Sequence, residues 1–122
     1  MSIKASCHCG AIRFEVAAAP ERVFTCTCSF CAKRGPVWAY YAPADFTLTA
    51  GRGRIGTYQW KSFVVEHRHC PVCGCATWSD SPEFVDGRPH PERRRVGVNA
   101  RLFDDFDLEA VPVQVLDGKN LW

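Results

Sequence analysis

Eight cysteines in 122 residues constrain this chain more than any other feature, because they fall in three short clusters. The clusters are Cys7-His-Cys9-Gly10, Cys26-Thr-Cys28-Ser-Phe-Cys31 and Cys70-Pro-Val-Cys73-Gly-Cys75. Paired cysteines persist as disulfides only in oxidising compartments. The first residues, Met1 to Cys7, carry no apolar stretch of secretory-signal length. No apolar run approaches the ~20 residues of a membrane span. A cytoplasmic protein without a membrane partner is therefore expected, and clustered cysteines there read as metal-binding or catalytic.

Cys70-Pro-Val-Cys73-Gly74 has the grammar of a zinc knuckle. Two thiolates share one tight turn, Pro helps to set it, and Gly lets the chain leave with positive φ. A knuckle supplies two ligands and a closed structural site needs four. Cys7 and Cys9, also followed by Gly, are the expected partners. Cys26, Cys28 and Cys31 are then three, the ligand number of sites that keep one coordination position open. Three thiolates make a poor generator of hydroxide, but the position suits a fourth, exogenous thiolate whose proton the metal displaces. Thiol chemistry is expected rather than hydrolysis. Two alternatives stay open: Cys75 could close this second site, and Cys28-Ser-Phe-Cys31 could be a redox dithiol.

Composition and pattern predict one β-rich domain spanning residues 1–122, with little helix. Alternation in Ala11–Val16 predicts a half-buried strand with Ile12, Phe14 and Val16 inward. Strands are also expected at Val37–Tyr41, Phe46–Thr49, Arg54–Trp60, Phe63–His67, Ala76–Trp78, Arg95–Val98 and Val113–Val115. Helical turns are expected at Ser29–Arg34 and Asp104–Leu108. Ser81–Arg95, with Pro82, Pro89 and Pro91, reads as a loop. His67 and His69 are expected beside the metal or at the surface, and Trp38, Tyr40, Tyr41, Trp60 and Trp78 mostly in the core. Lys33 and Arg34 could meet a substrate carboxylate, although a solvated pair is the simpler reading, as it is for Arg93-Arg94-Arg95.

The formal charge of +2 does not argue for nucleic acid. Seven bound thiolates (−7) and two zinc ions (+4) would take it from +2 to −1.

Cys7-x-Cys9-Gly, Cys26-x-Cys28-x-x-Cys31, the aromatic strand after Gly35 and Cys70-Pro-x-Cys73-Gly together resemble the glutathione-dependent formaldehyde-activating enzyme family, which includes centromere protein V. The resemblance runs from Ser6 to Gly118. It implies several coiled antiparallel sheets of the β-tent type and two zinc ions per chain. Cys7, Cys9, Cys70 and Cys73 would be structural, and Cys26, Cys28 and Cys31 catalytic. It further implies carbon–sulfur lyase chemistry on a thiol adduct such as S-(hydroxymethyl)glutathione, with glutathione as the small-molecule partner. A thiol carrier without turnover and a zinc-ribbon interaction module are the competing functions.

Overall fold

Alternation sorts the residues of each strand between two faces, and the whole architecture follows from that sorting. The computed structural model describes residues 2–121, so the two terminal positions of the expected domain lie outside the description. The described residues form ten strands: β1 (Ile3–Ser6), β2 (Arg13–Val16), β3 (Val23–Cys26), β4 (Trp38–Tyr41), β5 (Phe46–Ala50), β6 (Gly56–Tyr58), β7 (Glu66–His69), β8 (Ala76–Val85), β9 (Arg88–Asn99) and β10 (Val113–Leu116). Among the described residues helix is confined to α1 (Ser29–Arg34), α2 (Gly118–Leu121) and three short 3-10 turns. The protein is thus mostly β. No helix among the described residues is long and apolar enough to cross a membrane.

The strands make two sheets, a small one ordered β1-β2-β5 and a large one ordered β10-β3-β4-β9-β8-β7-β6. All pairings are antiparallel except β10 on β3. The core lies between the sheets. Phe14 and Val16 from the small sheet, with Ile12 just before them, meet Val23, Ala39, Trp78, Val96 and Val98 from the large one. Phe14, Ile12, Val16, Val23 and Val98 are fully enclosed, each burial contributing roughly 1.5–3 kcal/mol. The expected inward face of the first amphipathic strand is therefore observed.

The opposite face of the large sheet carries different residues at the alternate positions. Cys26 of β3, Trp38 and Tyr40 of β4, Arg95 and Gly97 of β9, Ser79 and Ser81 of β8, and His67 of β7 all line one cavity there. Trp78 follows the core expectation, and Trp38 is buried in a second, separate cluster with Cys28, Phe30 and Cys31.

The strand expected at Phe63–His67 is displaced to Glu66–His69, and two further expectations fail. Ser81–Arg95 is not a loop: β8 and β9 continue through it as a two-stranded ribbon, with Val85 paired to Arg88. β7 pairs β8 only as far as Asp80, and β4 pairs β9 only from Val96 onward. Beyond those limits each ribbon strand has a free edge, where a missing proline N–H costs nothing. A register shift between Pro82 and Phe84 absorbs the remaining irregularity. Asp104–Leu108 is not a helical turn either. The turns fall on both sides of it, at Ala100–Leu102 and Leu108–Ala110. Asn99 and Asp107 cap them by accepting from Arg101 N and Glu109 N, so the short polar side chains decide where the turns begin.

Candidate metal centres and the cavity

Each cysteine cluster sits where a strand ends and the backbone must curl. After β1, Gly10 N donates to Cys7 O at 3.0 Å and Ile12 N donates to Cys7 Sγ at 3.3 Å. After β7 a turn one residue longer does the same work: Gly74 N donates to Cys70 O at 2.9 Å and Cys73 N to Cys70 Sγ at 3.5 Å. Gly10 and Gly74 take φ of +81° and +82°, as the knuckle pattern requires. The turns face one another, and the Sγ atoms of Cys7, Cys9, Cys70 and Cys73 all lie within 4.8 Å of one another.

The spacing tests whether a metal fits. Tetrahedral zinc with Zn–S near 2.3 Å places its sulfurs about 3.8 Å apart. Cys7 Sγ to Cys9 Sγ is 3.7 Å, and Cys9 Sγ to Cys70 Sγ is 3.7 Å. A disulfide would need about 2.05 Å, and all eight cysteines are free. Backbone N–H groups of Cys75 and Cys9 pull the Cys73 thiol down to about 5, which favours the thiolate a metal binds. The four-sulfur group could hold a metal ion with all positions filled.

Cys26, Cys28 and Cys31 form the second group, again within 4.8 Å of one another. β3 delivers Cys26, Cys28 is the N-cap of α1, and Cys31 lies in its first turn. Cys28 Sγ accepts from Cys31 N at 3.4 Å, and Cys26 Sγ accepts from Cys28 N at 3.5 Å. Gly35 ends the helix in the left-handed region, its N–H bonded to Cys31 O at 2.8 Å. Trp38 Nε1 donates to Cys31 Sγ at 3.3 Å. Burial pushes the Cys28 thiol up, but bonds from the Cys31 N–H and the neighbouring thiols outweigh it and leave the value lowered. Burial holds Cys31 and Cys26 raised, so Cys28 is the readiest thiolate of the three. Here too the residues fit a metal, with one position short of four.

Cys75 does not complete this group. Its carbonyl accepts from Cys70 N at 3.0 Å, and its thiol lies beside Cys73, raised first by burial. It belongs to the neighbourhood of the four-sulfur cluster.

The three-sulfur group opens instead into a cavity of about 490 Å³. Phe30, Trp38 and Trp60 form apolar walls, and the tip of the β8–β9 ribbon contributes Phe84 and Gly87. His67 stacks on Phe30 with ring centroids 4.0 Å apart, and its Nδ1 is 2.7 Å from Ser79 Oγ. Burial, then the charge of Arg34, lowers His67 to about 4, so the imidazole is neutral at physiological pH. Lys33 and Arg34 line an adjoining open cleft with Tyr58 and His69, with the Arg34 guanidinium 4.9 Å from the Phe30 ring centroid.

The metal-group cysteines are identifiable from sequence, whereas Trp38, Tyr40 and Trp60, expected mostly in the core, line the cavity. Arg95, Ser79, Ser81 and Phe84 are not identifiable from sequence as cavity residues. The prolines of the ribbon that carries three of them give it the pattern of a loop, although Asp86-Gly87 between β-forming residues signals a two-residue hairpin.

Comparison with known proteins gives the family. A family profile described as glutathione-dependent formaldehyde-activating enzyme matches residues 2–113. The chain belongs to this family. A relative in Halomonas elongata carries the provisional name glutathione-dependent formaldehyde-activating enzyme. It is 30% identical over 134 aligned residues, covering 100% of this chain and 80% of the relative. A crystal structure of a Rhodobacter sphaeroides protein superposes with a TM-score of 0.71 at 26% identity, covering 91% of this chain and 99% of that one. Membership of the glutathione-dependent formaldehyde-activating family supports glutathione-dependent formaldehyde activation and a small-molecule thiol partner.

Proposed function

We propose that the chain is a single zinc-binding domain over residues 1–122. On this reading it makes or breaks the carbon–sulfur bond of S-(hydroxymethyl)glutathione, or of a close thiol adduct. One observation carries the reading: of two sulfur clusters that fit a metal, the four-sulfur one is complete and the three-sulfur one opens on a cavity. Cys7, Cys9, Cys70 and Cys73 would hold structural zinc, and Cys26, Cys28 and Cys31 catalytic zinc. Zinc at the second group would supply an open position that keeps an incoming thiol as its thiolate at neutral pH.

The chain's own residues account for the rest. In the forward direction a carbon–sulfur bond forms at the aldehyde carbon, its C=O π bond breaks, and the thiol's proton ends on the new hydroxyl. Phe30, Trp38 and Trp60 exclude water, which would otherwise hydrate the aldehyde. Trp38 Nε1 and the Cys31 N–H fix the sulfurs in orientation, and holding two reactants together supplies much of the rate effect. The neutral His67 imidazole and the Ser79 hydroxyl form a hydrogen-bonded pair suited to bonding the aldehyde oxygen and relaying to it the proton that the thiol gives up.

Cobalt substitution tests this, since sulfur-to-cobalt charge-transfer bands grow with each thiolate bound. Glutathione should strengthen the bands saturably in the native sequence and in Cys75→Ser, but not at the second site of Cys28→Ala. Labelled formaldehyde should then give the hydroxymethyl adduct faster than in buffer. Two four-sulfur spectra at rest would refute the open site, and thiol binding without adduct formation would leave a carrier in place of an enzyme.

A further inference from the structure

The cavity holds a cation that the chemistry above does not use. Arg95 lies on β9, where Val96 and Val98 turn into the core and Arg95 and Gly97 face the cavity. Its Nε is buried with no hydrogen-bond partner. Among the described residues it makes no ion pair, whereas Arg93, two positions earlier, meets Glu83 at 3.1 Å. The residue across the ladder from Arg95 is Ser81, and that hydroxyl already donates to Pro82 O at 2.8 Å.

The guanidinium is nonetheless held in place. Its Cζ lies 4.3 Å from the centroid of the Tyr40 ring. Tyr40 in turn packs on Gly97, where a Cβ would come within 3.0 Å of Tyr40 Cε1 and 3.4 Å of Trp38 Cε3. Stacking fixes the plane of a guanidinium while leaving its N–H edge free for a planar oxyanion. Lys61 adds a second cation to the lining, and among the described residues no acidic side chain lines the cavity. An ammonium group entering would find no counter-charge.

We propose that Arg95 binds a carboxylate of the thiol substrate, opposite the sulfur held at Cys26, Cys28 and Cys31. The substrate class is a thiol with a carboxylate several bonds from sulfur and no cation at that end. For glutathione this selects an orientation: the glycyl end, which carries a carboxylate alone, enters toward Arg95. The γ-glutamyl end, with its ammonium, stays at the mouth. The inference rests on the cavity being the thiol site.

Glutathione and its glycyl ethyl ester separate the two ideas. Binding to the zinc-loaded protein is followed by Trp38 and Trp60 fluorescence, and to the cobalt-loaded protein by charge-transfer bands. The native sequence should bind the ester about ten- to a hundredfold more weakly than glutathione, the loss expected for a charge-assisted hydrogen bond. Arg95→Gln should weaken glutathione by a similar factor and leave the ester unchanged, while Arg95→Lys recovers part of the difference. Equal binding of ester and glutathione by the native sequence overturns the proposal without needing any variant to fold. So does an Arg95→Gln loss that is the same for both ligands, since that would report only a displaced Tyr40. If neither compound alters the bands, the thiol site itself is refuted and this inference falls with it.

Discussion

His67 shows how one side chain can report on the cavity. Unperturbed imidazole titrates near 6.5, and burial lowers His67 to about 4. Between those values the unfolded chain takes up a proton that the folded chain refuses. Stability therefore falls as pH drops through this window and changes no further from this source below about 4. The contribution is at most about 3 kcal/mol. His67→Gln keeps a hydrogen-bonding partner for Ser79 and removes the titration, so its stability should fall less than the native protein's between pH 6.5 and 4. Denaturant midpoints across that range measure the difference, and metal loss in acid affects both proteins alike. Parallel curves would mean that His67 is solvated. Burial of this kind is not readable in the sequence, because Glu66-His-Arg-His69 is polar throughout and resembles an exposed strand. The cysteines are readable because spacing alone fixes which sulfurs can share a turn.

At the scale of elements, sequence pattern locates strands better than it bounds them. Val37–Tyr41, Phe46–Thr49 and Val113–Val115 all match strands to within a residue at either end. Ile3–Ser6 and Val23–Cys26 escape notice, since four residues beside a cysteine cluster give too little alternation to stand out. The β8–β9 ribbon escapes for a different reason. Its prolines break the usual strand pattern, and only a free edge on each strand makes them tolerable. Glycines after strands carry clearer instructions, and Gly51 tests them. It follows β5 at φ +100°, and a Cβ there would meet Ile12 Cδ1 and come within 2.8 Å of Ala11 O. Gly51→Ala should cost about 2–4 kcal/mol, combining left-handed strain with overpacking against backbone. Gly53 has φ +88° but open space around it, so Gly53→Ala should cost only about 1 kcal/mol. Urea unfolding of the two variants checks the contrast, and equal losses would show that strain alone matters.

Across the whole molecule a metal at each sulfur cluster would do different mechanical work, because the clusters join different things. Cys7 and Cys9 follow β1 of the small sheet, while Cys70 and Cys73 follow β7 of the large one. A metal held by all four clips the two sheets together across 61 residues of sequence from Cys9 to Cys70. Closing a loop of that length costs chain entropy that a small β domain recovers poorly without a staple. Cys26, Cys28 and Cys31 lie at one strand end and the helix that follows it, so a metal there closes only a local turn. Metal loss should consequently occur in two stages. With two zinc ions bound per chain at the start, as native mass spectrometry would count them, a chelator should first remove one while far-ultraviolet circular dichroism and the denaturant midpoint barely change. Thiol binding should vanish at this stage. Removal of the second ion should coincide with cooperative unfolding, because binding energy at a structural site is folding energy. Substitution should separate the stages genetically: Cys28→Ala stays folded with one zinc, and Cys70→Ala yields little folded protein. Simultaneous loss of both ions with unfolding, or collapse of Cys28→Ala as severe as that of Cys70→Ala, would show that the three-sulfur group is as structural as the other.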